Sequence, residues 1–247
     1  MNKLLSRKIG DLVRRLLKQL GWDLVRYHPK SEIWPSLLGA GILPIRTVLD
    51  IGAKDGDTAR IFRRYYPQAV IHCFEPHPVS FRSLETWANE QGGTVHCYPF
   101  ALGDTTGLAQ IHTIGSKLAI ASLHPPGAWQ FADPQFKTDY VVLPVQVNRL
   151  DDLSDMLYIT DDLLVKIDTE GFEKKVIQGG KGVLSRASAI IVEIHSLKRY
   201  AGQPSFVEIV ELMAGFHLEF AGIIYQGRGK NGKIIYVDAL FIKEGLI

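Results

Sequence analysis

Two short stretches of the sequence combine glycine and acidic residues in a spacing that suits a nucleoside-containing cofactor. The first, Asp50-Ile51-Gly52-Ala53-Lys54-Asp55-Gly56, follows an apolar, β-branched run, and the second, Phe74-Glu75-Pro76, ends another such run. Glycine allows the backbone to turn tightly and to lie against a ligand. An acidic residue at the tip of the next strand suits the two hydroxyls of a ribose. The pair therefore predicts a cofactor site at the carboxyl edge of a parallel sheet.

The spacing of the glycines favours one cofactor over another. The turn reads Gly-x-x-x-Gly and lacks the Gly-x-Gly-x-x-Gly of dinucleotide-binding turns, so it fits S-adenosylmethionine better than a pyrophosphate. In this interpretation the backbone of Gly52, Ala53 and Gly56 contacts the methionine part of the cofactor. Asp50 orders the turn, and Glu75, followed by Pro76, binds the ribose. The alternative is an ordinary strand-to-helix turn with an exposed acid at the next strand end.

A third stretch, Ala101-Leu102-Gly103-Asp104, follows the third predicted strand. An acid at this position can meet the amino group of an adenine, and we assign Asp104, with Ala101, to that role. The alternative is that Asp104 only forms a turn with Gly103 and Thr105.

Candidate catalytic residues follow two later strands. Asp168 and Glu170 come directly after the run ending at Ile167, and Glu193 and His195 alternate at the end of Ile190–His195, which places them on one side of a strand. We predict that Asp168 orients a substrate hydroxyl or acts as a base and that His195 serves as a general base. The alternative for His195 is packing against a neighbouring acid.

Further carboxylates surround these residues. Glu170 and Glu173 suit the N-terminus of the following helix, where negative charge is stabilised. Asp168, Glu170 and His195 also have side chains that can ligate a divalent metal. Because spacing alone does not establish a metal site, we assign none.

Composition narrows the class of protein. The chain has 247 residues, 46% of them hydrophobic, with a net charge of +2. The small charge disfavours nucleic acid as a partner. Cys73 and Cys97 have no metal-ligand spacing and are expected to be core residues in a reducing compartment. No run approaches the about 18 apolar residues of a membrane span, and charges interrupt the N-terminal apolar stretches, so we expect a cytoplasmic protein.

The order of predicted elements indicates the fold. Strand-like and helix-like runs alternate from Thr47, which is typical of a doubly wound parallel sheet. Two final strands, 218–225 and 234–242, are joined by a glycine-rich connection and predict an antiparallel hairpin. The fold expected is α/β, with a Rossmann-like, seven-stranded, mostly parallel sheet closed by this hairpin. The long turn-rich insertion between strands 108–113 and 140–147 is expected to be a lid or substrate loop.

The N-terminal part has a different character. Residues 3–20 carry apolar side chains at helical spacing on a basic background, and residues 21–45 read as a linker, so we divide the chain into 1–45 and a domain at 46–247. A basic amphipathic helix can lie on an anionic membrane surface at the inner face of the membrane. Because the apolar stripe is purely aliphatic, we favour packing of the helix on its own domain or on a second subunit of a homo-oligomer.

At this point the chain resembles a known family, the FkbM-type S-adenosylmethionine-dependent methyltransferases. The resemblance covers about residues 47–195, and Ala121-Ser122-Leu123 resembles a family element in the loop that approaches the substrate. The family commonly has Asn where this chain has Lys54. The matching motifs occur in the family's order and are Val48-Leu49-Asp50-Ile51-Gly52-Ala53 with Gly56, Phe74-Glu75-Pro76, Ala101-Leu102-Gly103-Asp104 with Gly107, Asn148-Arg149-Leu150-Asp151-Asp152-Leu153, and Lys166-Ile167-Asp168-Thr169-Glu170-Gly171-Phe172-Glu173.

The resemblance implies a class I methyltransferase fold and O-methylation of a hydroxyl on a sugar, glycan or related natural product. Two other readings stay open at this stage. One is a non-catalytic binding module that kept a methyltransferase fold, and the other is an NAD-dependent dehydrogenase on the same sheet topology.

Overall fold

A seven-stranded, mostly parallel β-sheet forms the centre of the computed structural model, which describes residues 43–114, 120–127, 140–229 and 232–246. The predicted amphipathic helix at 3–20 and nearly all of the linker lie outside the described residues, so the predictions about them stay predictions. The described residues belong to one compact unit. Among them, no helix has the length and apolar character that crossing a membrane requires.

The elements follow the alternation expected from the sequence. The strands are β1 (Thr47–Ile51), β2 (Val70–Phe74), β3 (Val95–Tyr98), β4 (Ala101–Leu102), β5 (Gly107–Ile114), β6 (Ile120–Ser122), β7 (Tyr140–Asn148), β8 (Leu163–Ile167), β9 (Ala187–His195), β10 (Leu218–Arg228) and β11 (Ile234–Lys243). The helices are α1 (Asp57–Tyr65), α2 (Pro78–Asn89), α3 (Ser154–Leu157), α4 (Glu173–Gly179), α5 (Lys181–Leu184) and α6 (Phe206–Ala214), with a 3-10 turn at Asp151–Leu153.

The central sheet has the strand order β10-β11-β9-β8-β1-β2-β3. Strands β3, β2, β1, β8 and β9 pair in parallel, whereas β11 is antiparallel to both β9 and β10. The predicted seven-stranded sheet and its closing hairpin are confirmed. Parallel strands end at one edge of a sheet, so the segments after β1, β2, β8 and β9 converge there.

Helices cover both faces of this sheet, because its parallel strands are apolar on both sides. Leu49, Val165 and Ile190 point into a core that includes buried side chains of α4, α5 and α6. Val48 and Leu164 point to the opposite face, where buried side chains of α1 and α2 complete a second core. Because both faces of the sheet are buried, the carboxyl edge is held in place. This edge carries the predicted site residues.

The insertion forms a second sheet of its own. Its strand order is β4-β7-β5-β6, with β5 antiparallel to both neighbours. The strands predicted at 108–113 and 140–147 are confirmed as β5 and β7. The two-residue β4 and three-residue β6 were not predicted, because segments so short carry no periodic signal.

Two local details differ from the sequence-based expectation. The single helix expected after Glu173 is two helices, α4 and α5, separated at Gly180, where an added Cβ would come within 2.9 Å of Leu150. Cys73 and Cys97 lie opposite each other in β2 and β3 and are both free, but only Cys73 is fully buried.

Candidate active site

The turn after β1 has the tight backbone geometry that its glycines predict. Gly52 and Gly56 have φ values of 85° and 88°, in the left-handed region that favours glycine. The backbone N–H groups of Gly52 and Ala53 donate to the Phe74 carbonyl at 3.0 and 3.1 Å, which ties the turn to the end of β2. Lys54 is also left-handed, with φ 52°. Asn tolerates this conformation better than Lys, which accounts for the asparagine common in the family.

Asp50 lies beneath this turn. Its side chain is buried, and Oδ2 has no hydrogen-bond partner. Burial raises the pKa of Asp50 to about 7, partly offset by Lys166 on the neighbouring strand and by the Ala59 backbone N–H in the first turn of α1. Asp50 therefore connects the end of β1 to the first turn of α1 and has one buried oxygen without a hydrogen-bond partner, while its role at a cofactor stays a prediction.

Glu75 is fixed at the end of β2 by two backbone donors. The N–H of Lys54 donates to Oε2 and the N–H of His77 donates to Oε1, both at 2.8 Å. Burial raises the pKa of Glu75 to about 7. Each carboxylate oxygen can accept a second hydrogen bond, so Glu75 fits the pair of ribose hydroxyls expected there. The first two motifs are thus joined directly through Lys54 and Glu75.

Asp104 pairs with a lysine of α4. Its Oδ2 lies 2.6 Å from Nζ of Lys175 in α4, while Ala101 is buried in β4. No hydrogen bond or ion pair among the described residues joins Asp104 to Asp50 or Glu75. The ion pair with α4 is a contact that the sequence did not predict, and the role of Asp104 at an adenine stays a prediction.

A lysine that sequence reasoning overlooked organises the centre of the edge. Lys166 is 1% exposed, and its Nζ lies 2.9 Å from Oδ2 of Asp168 and 3.2 Å from Oδ1 of Asp238. Burial alone would lower the pKa of Lys166, but Asp168, Asp238 and Glu193 together raise it. The available signal was a lysine inside the apolar run Leu163–Ile167, where a buried charge must be paired.

His195 lies in a deeper cluster of polar groups. Its ring Nε2 is 3.5 Å from Oε1 of Glu193 and 3.4 Å from Oε2 of Glu170, and NH1 of Arg199 donates to the same nitrogen at 2.8 Å. An arginine only donates, so this contact requires an unprotonated Nε2. Burial and Arg199 lower the pKa of His195 to about 4. The predicted placement of Glu193 and His195 on one side of β9 is confirmed.

The two glutamates after β8 differ in role. Glu173 lies in the first turn of α4, as predicted, and its carboxylate accepts from the backbone N–H groups of Thr169 and Gly171 in the preceding loop at 3.2 and 2.9 Å. Glu170 does not cap the helix. Its Oε2 instead lies 3.4 Å from both NH1 of Arg199 and the Tyr200 hydroxyl. The cluster that can hold a metal is accordingly Glu170, Glu193 and His195, and Asp168 groups with Glu193 and Asp238.

The insertion contacts this part of the edge, and its role as a lid or substrate loop stays a prediction. The Ser122 hydroxyl in β6 donates to the Glu170 carbonyl at 2.7 Å, and the Gly127 N–H donates to the Arg199 carbonyl at 2.9 Å. The His124 ring packs on Phe172 with ring centroids 4.9 Å apart. Residues 120–127 are therefore attached to the loops after both β8 and β9.

Comparison with known proteins identifies the family. The model of the methyltransferase FkbM domain matches residues 50–221, which is more than half of the chain. The chain belongs to the FkbM methyltransferase family. This membership confirms the family resemblance of the sequence motifs and the expectation of an S-adenosylmethionine-dependent methyltransferase. The alternative of an NAD-dependent dehydrogenase is therefore wrong.

Individual relatives support the same assignment. The chain is 27% identical over 199 residues to the 2-O-methyltransferase NoeI of Sinorhizobium fredii (strain NBRC 101917 / NGR234), covering 78% of this chain and 79% of NoeI. It also resembles the crystal structure of methyltransferase FkbM from Methylobacillus flagellatus KT, with a TM-score of 0.54, 12% identity and 87% of this chain covered. The similarity spans 48% of that protein, about half its length, and shows that the two share a fold.

Proposed function

We propose that this FkbM-family methyltransferase transfers a methyl group to a hydroxyl of a sugar, glycan or related natural product. The observation that carries the proposal is the Asp168 carboxylate at the carboxyl edge, immediately beside the cofactor turn. Its Oδ2 accepts from Lys166, its side chain is 31% exposed, and Oδ1 accepts none of the hydrogen bonds between described residues. The similarity to a 2-O-methyltransferase supports oxygen as the acceptor atom.

The residues around the turn fit S-adenosylmethionine. Asp50 offers a buried oxygen without a partner, Glu75 offers two fixed carboxylate oxygens, and the backbone of Gly52, Ala53 and Gly56 lines the turn between them. When bound, the cofactor supplies a methyl group that is already electrophilic. The protein must therefore orient an acceptor oxygen in line with that methyl group and exclude water.

Asp168 is the residue we assign to take the hydroxyl proton. The acceptor oxygen loses its proton to Oδ1 of Asp168 as it forms the new bond to carbon, while the sulfur–carbon bond breaks. Lys166 holds the other carboxylate oxygen in place. His195 was also predicted as a base, but its ring is 1% exposed and Arg199 occupies the Nε2 lone pair. Asp168 is thus the more accessible of the two predicted bases.

The first test is calorimetric titration with S-adenosylhomocysteine, with NAD as the control ligand. We expect saturable binding of S-adenosylhomocysteine alone, weakened at least about tenfold in Glu75→Ala because a hydrogen-bonded charged group is lost. Binding of neither ligand would contradict the cofactor site.

The second test measures transfer of a radiolabelled methyl group to a panel of simple glycosides and oligosaccharides. Products are hydrolysed and their O-methyl sugars separated, and Asp168→Asn serves as the inactive comparison. We expect labelled O-methyl sugar with the wild-type enzyme and at least about a hundredfold less with the variant. A protein that binds S-adenosylhomocysteine but labels no acceptor would instead favour the non-catalytic binding module.

A further inference from the structure

Three side chains at the carboxyl ends of β8 and β9 direct ligand atoms into one small volume. Glu170, Glu193 and His195 each contribute one atom, and these atoms all lie within 4.8 Å of one another. The distances from Nε2 of His195 to the two carboxylates, 3.4 and 3.5 Å, are long for hydrogen bonds. Two ligands bound at about 2.1 Å to a tetrahedral ion lie about 3.4 Å apart. The two distances from His195 are therefore compatible with ligands of one ion.

Glu193 supplies an independent observation. The residue is 7% exposed, and no hydrogen bond between described residues reaches its carboxylate, whose Oε1 points at Nε2 of His195. A buried carboxylate without a donor is costly unless a cation or a proton joins it.

A second group of possible ligand atoms lies beside this one. The neighbouring trio of Asp168, Glu193 and Asp238 already holds the ammonium of Lys166 between the two aspartates, so it is not offered as a metal site. The candidate site is therefore the group formed by Glu170, Glu193 and His195.

Arg199 marks the position that such an ion would take. Its NH1 lies 2.8 Å from Nε2 of His195 and 3.4 Å from Oε2 of Glu170, so a cationic nitrogen already sits between two of the three ligand atoms. The Arg199 side chain is 17% exposed and belongs to the segment after β9. A metal ion and this guanidinium nitrogen would exclude each other.

We propose that Glu170, Glu193 and His195 bind a divalent metal cation, which displaces NH1 of Arg199 when it enters. Two carboxylates and an imidazole are ligands suited to Mn²⁺ or Zn²⁺. The ion's use in catalysis rests on the proposed function. A cation at this edge would bind the acceptor oxygen and lower the pKa of its hydroxyl, so that Asp168 accepts the proton more readily. Ion binding itself does not depend on the reaction.

The test is titration of the metal-stripped, full-length protein with Mn²⁺, in which the free ion is counted by electron paramagnetic resonance and Zn²⁺ is added as a competitor. We expect one saturable Mn²⁺ per chain, released by Zn²⁺. Because each substitution removes one ligand, Glu193→Gln and Glu170→Gln should each weaken binding about ten- to a hundredfold. Glu90→Gln changes the same charge at an exposed position after α2 and should leave binding unchanged.

The variant Arg199→Ala distinguishes binding at this site from binding elsewhere on the surface. Removal of the competing guanidinium should tighten Mn²⁺ binding several-fold, whereas a surface ion trapped elsewhere would not respond. Absence of saturable Mn²⁺ binding in the wild type, or equal binding in Glu193→Gln and wild type, would overturn the proposal.

The same samples are titrated with S-adenosylhomocysteine, and this titration separates the two proposals. Metal binding without S-adenosylhomocysteine binding contradicts the proposed function and leaves the metal site standing. The reverse result overturns only the metal site. Retained S-adenosylhomocysteine binding in the variants also shows that they are folded.

Discussion

The backbone of Gly52 lies directly against the carbonyl group of Asp168. A Cβ placed on Gly52 would stand 1.9 Å from that carbonyl oxygen and 2.9 Å from its carbon. The Asp168 N–H in turn donates to the Ile51 carbonyl at 2.9 Å. The turn proposed to line the cofactor site and the turn that carries the proposed proton acceptor are therefore in van der Waals contact, and displacement of one moves the other.

This contact predicts that substitution of Gly52 lowers the stability of the protein. Gly52→Ala combines a left-handed backbone with a steric overlap against a buried main chain, so we expect a loss of at least about 3 kcal/mol in the free energy of unfolding. Gly92→Ala is the matched control, because Gly92 also has a positive φ but nothing within 4 Å of an added Cβ. It should cost only about 1–2 kcal/mol. Denaturant unfolding at 25 °C compares the two, and equal losses would contradict the close contact.

Removal of the Lys166 ammonium should be strongly destabilising. Lys166→Met leaves Asp168 and Asp238 without their shared cation, and we expect a loss of about 3–5 kcal/mol. Lys174→Met removes a lysine from the exposed pair with Glu208 and should cost less than about 1 kcal/mol. Adding Asp238→Asn to Lys166→Met should recover part of the loss. A double variant whose loss is the sum of the two single losses would show that the groups are not coupled.

The charge of Glu75 should contribute more to cofactor affinity than the shape of its side chain does. Glu75→Gln keeps the size of the side chain but offers one acceptor oxygen where two now accept from Lys54 and His77. We expect at least about tenfold weaker binding of S-adenosylhomocysteine by calorimetry. Glu90→Gln, at an exposed position, should bind as the wild type does. Unchanged affinity in Glu75→Gln would remove Glu75 from the ribose site.

His72 predicts a pH dependence away from the active site. Burial and the neighbouring His96 lower the pKa of His72 to about 4, and its Nε2 has no partner. Because the unfolded chain binds the proton near pH 6.5 and the folded chain does not, stability should fall as the pH drops from 6.5 to 4, by about 1.4 kcal/mol per unit from this group.

The measurement for His72 is the slope of unfolding free energy against pH. His72→Gln should flatten the slope between pH 6.5 and 4.5, whereas His217→Gln, at a ring that is 75% exposed, should not. Other groups also titrate in this range, so the difference between the slopes of variant and wild type is the relevant quantity. Identical slopes would show that folding does not lower the pKa of His72.

Much of the fold was predictable because the signals are local. The apolar, β-branched run Thr47–Ile51 followed by glycines predicted a strand and a tight turn, and alternation in Ile190–His195 correctly placed Glu193 and His195 on one side of β9. The hairpin of β10 and β11 followed from two strand-like runs around a glycine-rich connection. Each of these features is decided by neighbouring residues.

The features that could not be predicted depend on contacts between residues far apart in the chain. A lysine is normally exposed, and nothing near Lys166 in sequence reveals that Asp238, on an antiparallel strand, reaches it. Glu170 was expected to cap α4, but Arg199 and Tyr200 lie on its open side, and of the two glutamates only Glu173 lies in the first turn of α4. The contact between Asp104 and Lys175 likewise requires the path of the insertion, which the motifs do not encode.

The late position of β11 in the chain has a consequence for how the polypeptide is made. Asp238 lies 72 positions after Lys166, so at typical synthesis rates the ribosome produces the lysine roughly 4 to 14 s before its second carboxylate. Over that interval the ammonium must stay hydrated, and the nascent strands β1, β8 and β9 cannot close over it as they do in the finished fold. Ribosome-arrested chains should therefore gain protease resistance only once β11 has emerged. A chain already resistant when arrested before β11 emerges would show that the sheet tolerates an incompletely neutralised lysine.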